Sequence, residues 1–267
     1  MLVTALPASA VTILGVGSDN HLYSVVSATG ATTDLGSLPT PPGGVYGDIA
    51  YNPLTGGLFV VSFDPNMSQH SLLYSVSVSN PSAATVVGDT GVVDINSMVV
   101  DPTTGTMYAV GGMNLNQLYT INPTTAAASV IGSTGVYRSS GDLSFDNSGK
   151  LYLTSSTPNA DTLYSINPTN GAGTLIGSLG VNNVYGTAFD PSTNTMYGFT
   201  DSGNEHIITI NLNTGLATSL TTYGPGFYGV TATDFEPEPG TTILLLSGLF
   251  ALAVVAYRRR AVLWQHQ

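Results

Sequence analysis

The sequence predicts an all-β fold, a β-propeller of five four-stranded blades, and three features support this prediction. A Leu-Tyr element recurs at intervals close to 45 residues, and a turn beginning with Asn or Asp recurs in the same phase. The two ends of the body supply complementary parts of one further unit. Four short strands repeated with a period of about 40–45 residues are typical of propeller blades.

The first repeated element places a tyrosine inside a short, β-branched segment. Its tyrosines are at positions 23, 74, 119 and 164 and Ile208 continues the series, with intervals of 51, 45, 45 and 44 residues. Aromatic and β-branched residues between Gly, Asn and Pro clusters favour strands over helices. We therefore expect one strand of each blade at this element.

The second repeated element is a strand that ends in an Asn or Asp turn. The turn residues are Asn52, Asp101, Asp146 and Asp190, spaced by 49, 45 and 44 residues. Three of the four precede proline, which fixes φ, and the Asx side chain caps the turn backbone. For the second unit, the pattern predicts strands at 97–100, 106–110, 117–122 and 128–132.

The ends of the propeller domain, predicted at 11–235, explain how the ring closes. Residues 12–38 supply only the later three strands of a unit, and residues 228–235 supply only the first. We expect both segments to share a blade, with 230–234 paired to 13–16, because such pairing leaves no open edge at the seam. An open β-solenoid is the alternative, but a solenoid has no use for a split unit.

Composition limits the classes of partner and chemistry. The net charge is −11, and the five basic residues are Arg138, Lys150, Arg258, Arg259 and Arg260. An acidic body repels phosphate backbones, so we expect no nucleic-acid partner. The chain has no cysteine, which excludes disulfides, cysteine-ligated zinc and a thiol nucleophile.

Both ends of the chain have sequence patterns that are typical of export signals. Residues 1–10 are apolar and end in Ala8-Ser9-Ala10, the form of a signal-peptidase site, which indicates a residual signal peptide. An ordinary apolar first strand is the alternative. At the other end a 236–240 linker containing Pro-Glu-Pro precedes the uncharged segment 241–257, which predicts a transmembrane helix at the short limit of bilayer length. The arginine-rich tail 258–267 predicts a cytoplasmic end and a body outside the cytoplasm.

The order Pro237-Glu238-Pro239, apolar helix and Arg258, Arg259 and Arg260 resembles the PEP-CTERM sorting signal. The resemblance implies processing by an exosortase, a membrane protease-transpeptidase, in a Gram-negative bacterium that makes exopolysaccharide. It implies a membrane-anchored intermediate in the inner membrane and delivery to the cell surface or extracellular matrix. The chain departs from the pattern by continuing after the arginines as residues 261–267, and a plain single-span anchor is the alternative.

A ring of tyrosines is the predicted ligand site. We expect Tyr46, Tyr137, Tyr185 and Tyr228 on the loops before the innermost strands, with Arg138 beside them. Asp48 and Asp142 occupy matching positions of those strands and are expected at the rim of a polar channel. Aromatic faces stack on sugar rings and carboxylates accept hydroxyl hydrogens, so an extracellular polysaccharide suits this surface. The alternative is that the tyrosines plug the channel and the aspartates satisfy turn amides.

Catalysis has weaker support in the sequence. Paired carboxylates such as Asp48 and Asp142 could serve a polysaccharide hydrolase or lyase, but glutamate is almost absent from the body and no hydrolase or nucleotide motif occurs. His21, His70 and His206 each precede the third strand of a different blade, so we expect polar turn residues and neither a metal nor another cofactor. A non-catalytic surface protein that binds a glycan or another surface protein is therefore the favoured function.

Overall fold

Short strands with alternating burial form five four-stranded antiparallel sheets, the blades of a propeller. The computed structural model describes residues 11–111, 116–136, 141–156, 160–201, 203 and 205–233. The predicted signal peptide, linker, membrane span and basic tail lie outside the described residues. Within the described part, no helix has the length and apolar character that crossing a membrane requires.

The strands follow one another around the ring in chain order. The chain begins with β1 (Thr12–Gly17), β2 (His21–Val26) and β3 (Thr32–Ser37). The first complete blade consists of β4 (Val45–Asn52), β5 (Gly57–Phe63), β6 (His70–Val76) and β7 (Thr85–Val93), with a 3-10 helix at Pro81–Ala83. The second consists of β8 (Ile95–Val100), β9 (Met107–Gly111), β10 (Gln117–Ile121) and β11 (Ala128–Ser133). The third consists of β12 (Leu143–Phe145), β13 (Leu151–Ser155), β14 (Thr162–Ile166) and β15 (Gly173–Ser178). The fourth consists of β16 (Val184–Asp190), β17 (Thr195–Thr200), β18 (His206–Ile210) and β19 (Ala217–Thr222), and β20 (Phe227–Ala232) follows.

The predicted closure of the ring is confirmed. Strand β20 is the innermost strand of the sheet β20-β1-β2-β3, which we call the seam blade. Its register pairs Ile13 with Ala232 and Val16 with Gly229. The first and last strands therefore hydrogen-bond to each other, and the seam has no open edge.

The hydrophobic core is divided into five clusters, and each cluster joins neighbouring blades. One of them packs Ile13 and Tyr23 of the seam blade against Phe199 of the fourth blade. Another packs Leu14 of the seam blade against Tyr46 and Val60 of the first blade. Because every blade is buried on both faces, the core holds the ring together around its whole circumference.

The repeated turns form as predicted. The side-chain oxygens of Asn52, Asp101, Asp146 and Asp190 each accept the backbone N–H of the residue two positions later, at 2.8–3.0 Å. These side chains replace backbone partners that the tight turns leave without a hydrogen bond. The turns lie at the ends of the innermost strands, so they fix the residue at which each of these strands ends.

A β-bulge interrupts the innermost strand in at least four blades. The register shifts at Gly47 in β4, Asn96 in β8, Tyr185 in β16 and Tyr228 in β20, where the innermost strand has one residue more than the strand beside it. A bulge changes the direction in which its side chain projects from the strand. The bulges therefore determine which side chains leave the blade packing.

Candidate functional site

The loops that lead into the innermost strands lie on one face of the ring, together with the loops that join the second and third strands. This arrangement follows from the antiparallel order of every blade. We call this surface the mouth face, formed by the described residues at 18–20, 38–44, 64–69, 160–161, 179–183, 201, 203, 205 and 223–226.

Two of the predicted ligand tyrosines meet on the mouth face. Tyr185 and Tyr228 occupy the bulges of neighbouring blades, and their ring centroids are 6.4 Å apart with an interplanar angle of 70°. Both side chains are half-buried. An edge-to-face pair of this kind holds one ring firmly while part of its surface remains open to a ligand.

The prediction that Tyr46 belongs to the same ring of tyrosines is wrong. Tyr46 comes immediately before the bulge at Gly47, so its side chain projects between the blades. It is fully buried, its ring packs edge-on against Tyr74 at 5.3 Å, and its hydroxyl donates to the carbonyl of Pro39 at 2.6 Å. Burial raises the pKa of Tyr46 above its usual range. Tyr46 is therefore a core residue.

Two further predicted ligand residues, Tyr137 and Arg138, lie outside the described residues. The described segments on either side of them end at Val136 and resume at Gly141, just before β12. Their position in the sequence, on the approach to an innermost strand, remains the basis of that prediction.

The structure brings Asp48 and Asp142 together at the centre of the ring, although they belong to different blades. Their carboxyl groups hydrogen-bond to each other. Asp48 accepts the N–H groups of Ile49, at 2.7 Å, and of Met98. Asp142 accepts those of Leu143 at 2.6 Å and Thr187 at 2.8 Å, and also that of Val230.

The expectation that these aspartates line an open channel rim is also wrong. Asp48 is fully buried and Asp142 is 1% exposed. Burial, followed by the proximity of Asp142, raises the pKa of Asp48 well above its ordinary value. Burial raises the pKa of Asp142 to about 7. The aspartates satisfy backbone amides, as the alternative predicts, but these amides belong to the innermost strands and not to turns.

Small residues make room for the carboxyl pair. We call the equivalent position of the five innermost strands the centre slot; its members are Asp48, Ser97, Asp142, Gly186 and Gly229. A Cβ atom on Gly229 would lie 2.0 Å from Oδ1 of Asp48, closer than any real contact. The glycine at this position is therefore required by the carboxylate that fills the space beside it.

Sequence reasoning missed the carboxylates that lie near Tyr185. Asp161 and Asp201 lie close enough to Tyr185 to reinforce the increase in its pKa that burial causes. Asp201 pairs with Glu205, and burial followed by this neighbour raises the pKa of Asp201. All three lie on loops between the second and third strands of their blades, which could have identified them as residues of this face.

The three histidines, which the sequence predicts as polar turn residues, are the first residues of the third strands β2, β6 and β18. His21 and His70 begin third strands, and Nδ1 of each lies 3.0–3.1 Å from a carboxylate of the outer strand, Asp34 and Asp89 respectively. His206 lies 3.1 Å from the hydroxyl of Ser219. Among the described residues, no three His, Asp or Glu side chains converge in a way that could hold a metal ion.

Fold and site together define a five-bladed β-propeller with a closed centre and an aromatic, acidic mouth. The chain belongs to the family described as a repeat of unknown function, DUF6923, whose model matches residues 13–225. No curated protein matches the chain.

Solved structures share the fold at low sequence identity. A chain of a nidogen/laminin complex is 11% identical with a TM-score of 0.58, and the match covers 83% of this chain and 97% of that one. A protein of unknown function from Bacteroides thetaiotaomicron is 16% identical with a TM-score of 0.54, covering 79% of this chain and 58% of that one. TolB from Acinetobacter baumannii is 16% identical with a TM-score of 0.51, covering 81% of this chain and 54% of that one. These likenesses concern the fold alone.

Proposed function

We propose that the protein is a non-catalytic binding module of the cell surface or extracellular matrix, and that its mouth face binds a polysaccharide or a surface protein. The observation that supports this proposal is the pair Tyr185 and Tyr228, half-buried on neighbouring blades. Tyrosine rings offer an apolar face for the C–H side of a sugar. Asp201 is half-buried beside Tyr185 and supplies a hydroxyl acceptor, the role that the sequence suggested for Asp48 and Asp142.

The state of the carboxyl pair at the centre favours binding over catalysis. A catalytic carboxyl group must reach the substrate, whereas Asp48 and Asp142 are buried and accept five backbone N–H groups. A polysaccharide hydrolase or lyase is the second candidate, and one observation favours it. Asp201 and Glu205 form a carboxyl pair on the mouth face, and the pKa of Asp201 is raised, as a general acid requires.

A glycan-array screen of the detergent-solubilised full-length chain tests the binding proposal. Tyr185→Ala should weaken the binding of the best glycan by about 1 kcal/mol or more, while Tyr185→Phe retains it because stacking needs only the ring. Tyr164→Ala is the matched control, since Tyr164 is also half-buried but belongs to a third strand.

The same preparation separates the two candidate functions. An enzyme would lose turnover in Asp201→Asn while its glycan binding stayed nearly intact. A chain that binds no polysaccharide or surface protein and cleaves no glycan would reject both candidates, and Tyr185 and Tyr228 would then be packing residues of the mouth.

We also propose that residues 237–239 and 258–260 direct sorting, as the resemblance to PEP-CTERM proteins implies. An exosortase-type protease would release the body from the inner membrane. Mass spectrometry of the secreted protein should then find a C-terminus close to Glu238. Recovery of mature protein that still contains Trp264 would show that the tail is a simple anchor.

A further inference from the structure

The five innermost strands present equivalent amides to one pair of carboxyl groups. Each donor is the residue after the centre slot, and each comes from a different blade: Ile49, Met98, Leu143, Thr187 and Val230. Asp48 and Asp142 are therefore the one described pair of side chains to which all five blades are hydrogen-bonded. The contact is independent of the hydrophobic packing between neighbouring blades.

No cation neutralises this pair among the described residues. The described part of the chain contains one Lys or Arg, Lys150, and its ammonium lies over the ring of Tyr152 at 5.0 Å. Two carboxylates in contact within a buried site cannot both ionise at low cost. Within the described part of the chain, a proton shared by the pair is the source of neutralisation left, and it gives one carboxyl group an O–H that donates to the other.

The other titratable groups of the innermost strands do not shift the pKa of Asp48 or Asp142. They are Tyr46 and Tyr51 on β4, Tyr185 and Asp190 on β16, and Tyr228 on β20, while β8 and β12 contain none. None of them contributes to the raised pKa of Asp48 or Asp142, whose causes are burial, backbone amides and the partner carboxyl group.

We propose that Asp48 and Asp142 form a proton-sharing latch, which binds the five blades to one another while it keeps its proton and loosens the centre of the ring when the proton is lost. The deprotonated pair still accepts the amides, but the two carboxylates repel each other across the centre. The latch therefore makes the stability of the folded ring depend on pH.

The sign of this dependence follows from the direction of the shifts. Both carboxyl groups have folded-state pKa values above their unfolded value of about 3.9, so the folded ring holds a proton that the unfolded chain releases. The stabilisation is complete below about pH 4 and is lost as pH rises through about 7, the pKa of Asp142. One proton corresponds to a fall in Tm of about 3–5 °C per pH unit for a domain of this size.

Thermal unfolding of the full-length chain between about pH 5 and about pH 9 tests the latch, with the same scan on two variants. Asp48→Asn cannot ionise and introduces an N–H that can donate to Asp142, so the Tm difference between wild type and variant should shrink as pH rises. Ser97→Ala is the matched control, because Ser97 occupies the centre slot, is fully buried, and its hydroxyl has no hydrogen-bond partner in the structure. Its pH profile should parallel that of the wild type. Taking the difference in Tm between wild type and variant removes the pH dependence caused by other titratable groups, such as Asp161, because all proteins in the scan share them.

Infrared spectroscopy of the wild type provides a measurement that does not depend on whether Asp48→Asn folds. The latch predicts the absorption of a protonated carboxyl group in folded protein at neutral pH, and its loss in Asp142→Asn or Asp48→Asn. Absence of this band from the folded wild type overturns the proposal. So does a pH-independent Tm difference, or a Tm at alkaline pH that depends on added Ca²⁺ or Na⁺, which would place a bound cation where the latch needs a proton.

Discussion

The centre and the mouth of the ring differ in burial, although their side chains come from adjacent positions of the innermost strands. At the centre, Asp48 and Asp142 are enclosed and bound to backbone amides of all five blades. One residue earlier on the innermost strands, the bulge directs Tyr185 and Tyr228 toward the loop surface. The contrast teaches that strand register, more than residue type, decides whether a polar or aromatic side chain in this repeat holds the fold or remains open to a ligand.

The largest expected effect separates two tyrosines that the sequence treats alike. Tyr46→Ala should lower the free energy of unfolding by about 3–5 kcal/mol, because it empties a core site and removes the hydrogen bond to Pro39. Tyr185→Ala should change it by less than about 1 kcal/mol, since the side chain is half-buried at the mouth. Denaturant unfolding of both variants measures the difference, and equal losses would contradict the assignment of the two residues to different regions.

A smaller effect ranks the two carboxyl groups of the centre. Asp142→Ala leaves three buried amides without an acceptor and Asp48→Ala leaves two. At about 1 kcal/mol per amide, the losses should be about 3 and 2 kcal/mol respectively. Asp201→Ala at the mouth is the comparison variant and should cost less than either. A loss for Asp201→Ala as large as that for Asp142→Ala would remove the distinction between a structural centre and an open mouth.

The sequence predicted the ring because its repeats act at the scale of a whole blade. The tyrosine at position 23 and its equivalents set the period, the turn residue Asn52 and its equivalents set the phase, and the split unit predicted the pairing of β1 with β20. The first two signals recur in several blades, so a local deviation does not hide them.

The candidate site was predicted less well because it depends on single-residue shifts. Tyr46 and Tyr185 look equivalent because each is a tyrosine at the start of an innermost strand. Counted from the turn residue, however, Tyr46 lies six positions before Asn52 and Tyr185 lies five positions before Asp190. A shift of one residue moves a side chain to the other face of a strand. The meeting of Asp48 with Asp142 was likewise beyond prediction, because it depends on the curvature that brings separate blades to one centre.

The position of strand β20 would have a mechanical consequence if the chain were tethered through its C-terminal segment. Tyr228 lies near the mouth end of β20, and the described residues end at Thr233, just after its other end. A ligand that pulls on Tyr228 against a tether beyond Thr233 therefore loads β20 along its own axis. Both points of attachment then lie on β20, so the covalent backbone of this strand carries the tension and its hydrogen bonds to β1 carry little of it. Tension of this kind runs through one strand of the seam blade and bypasses the other four blades.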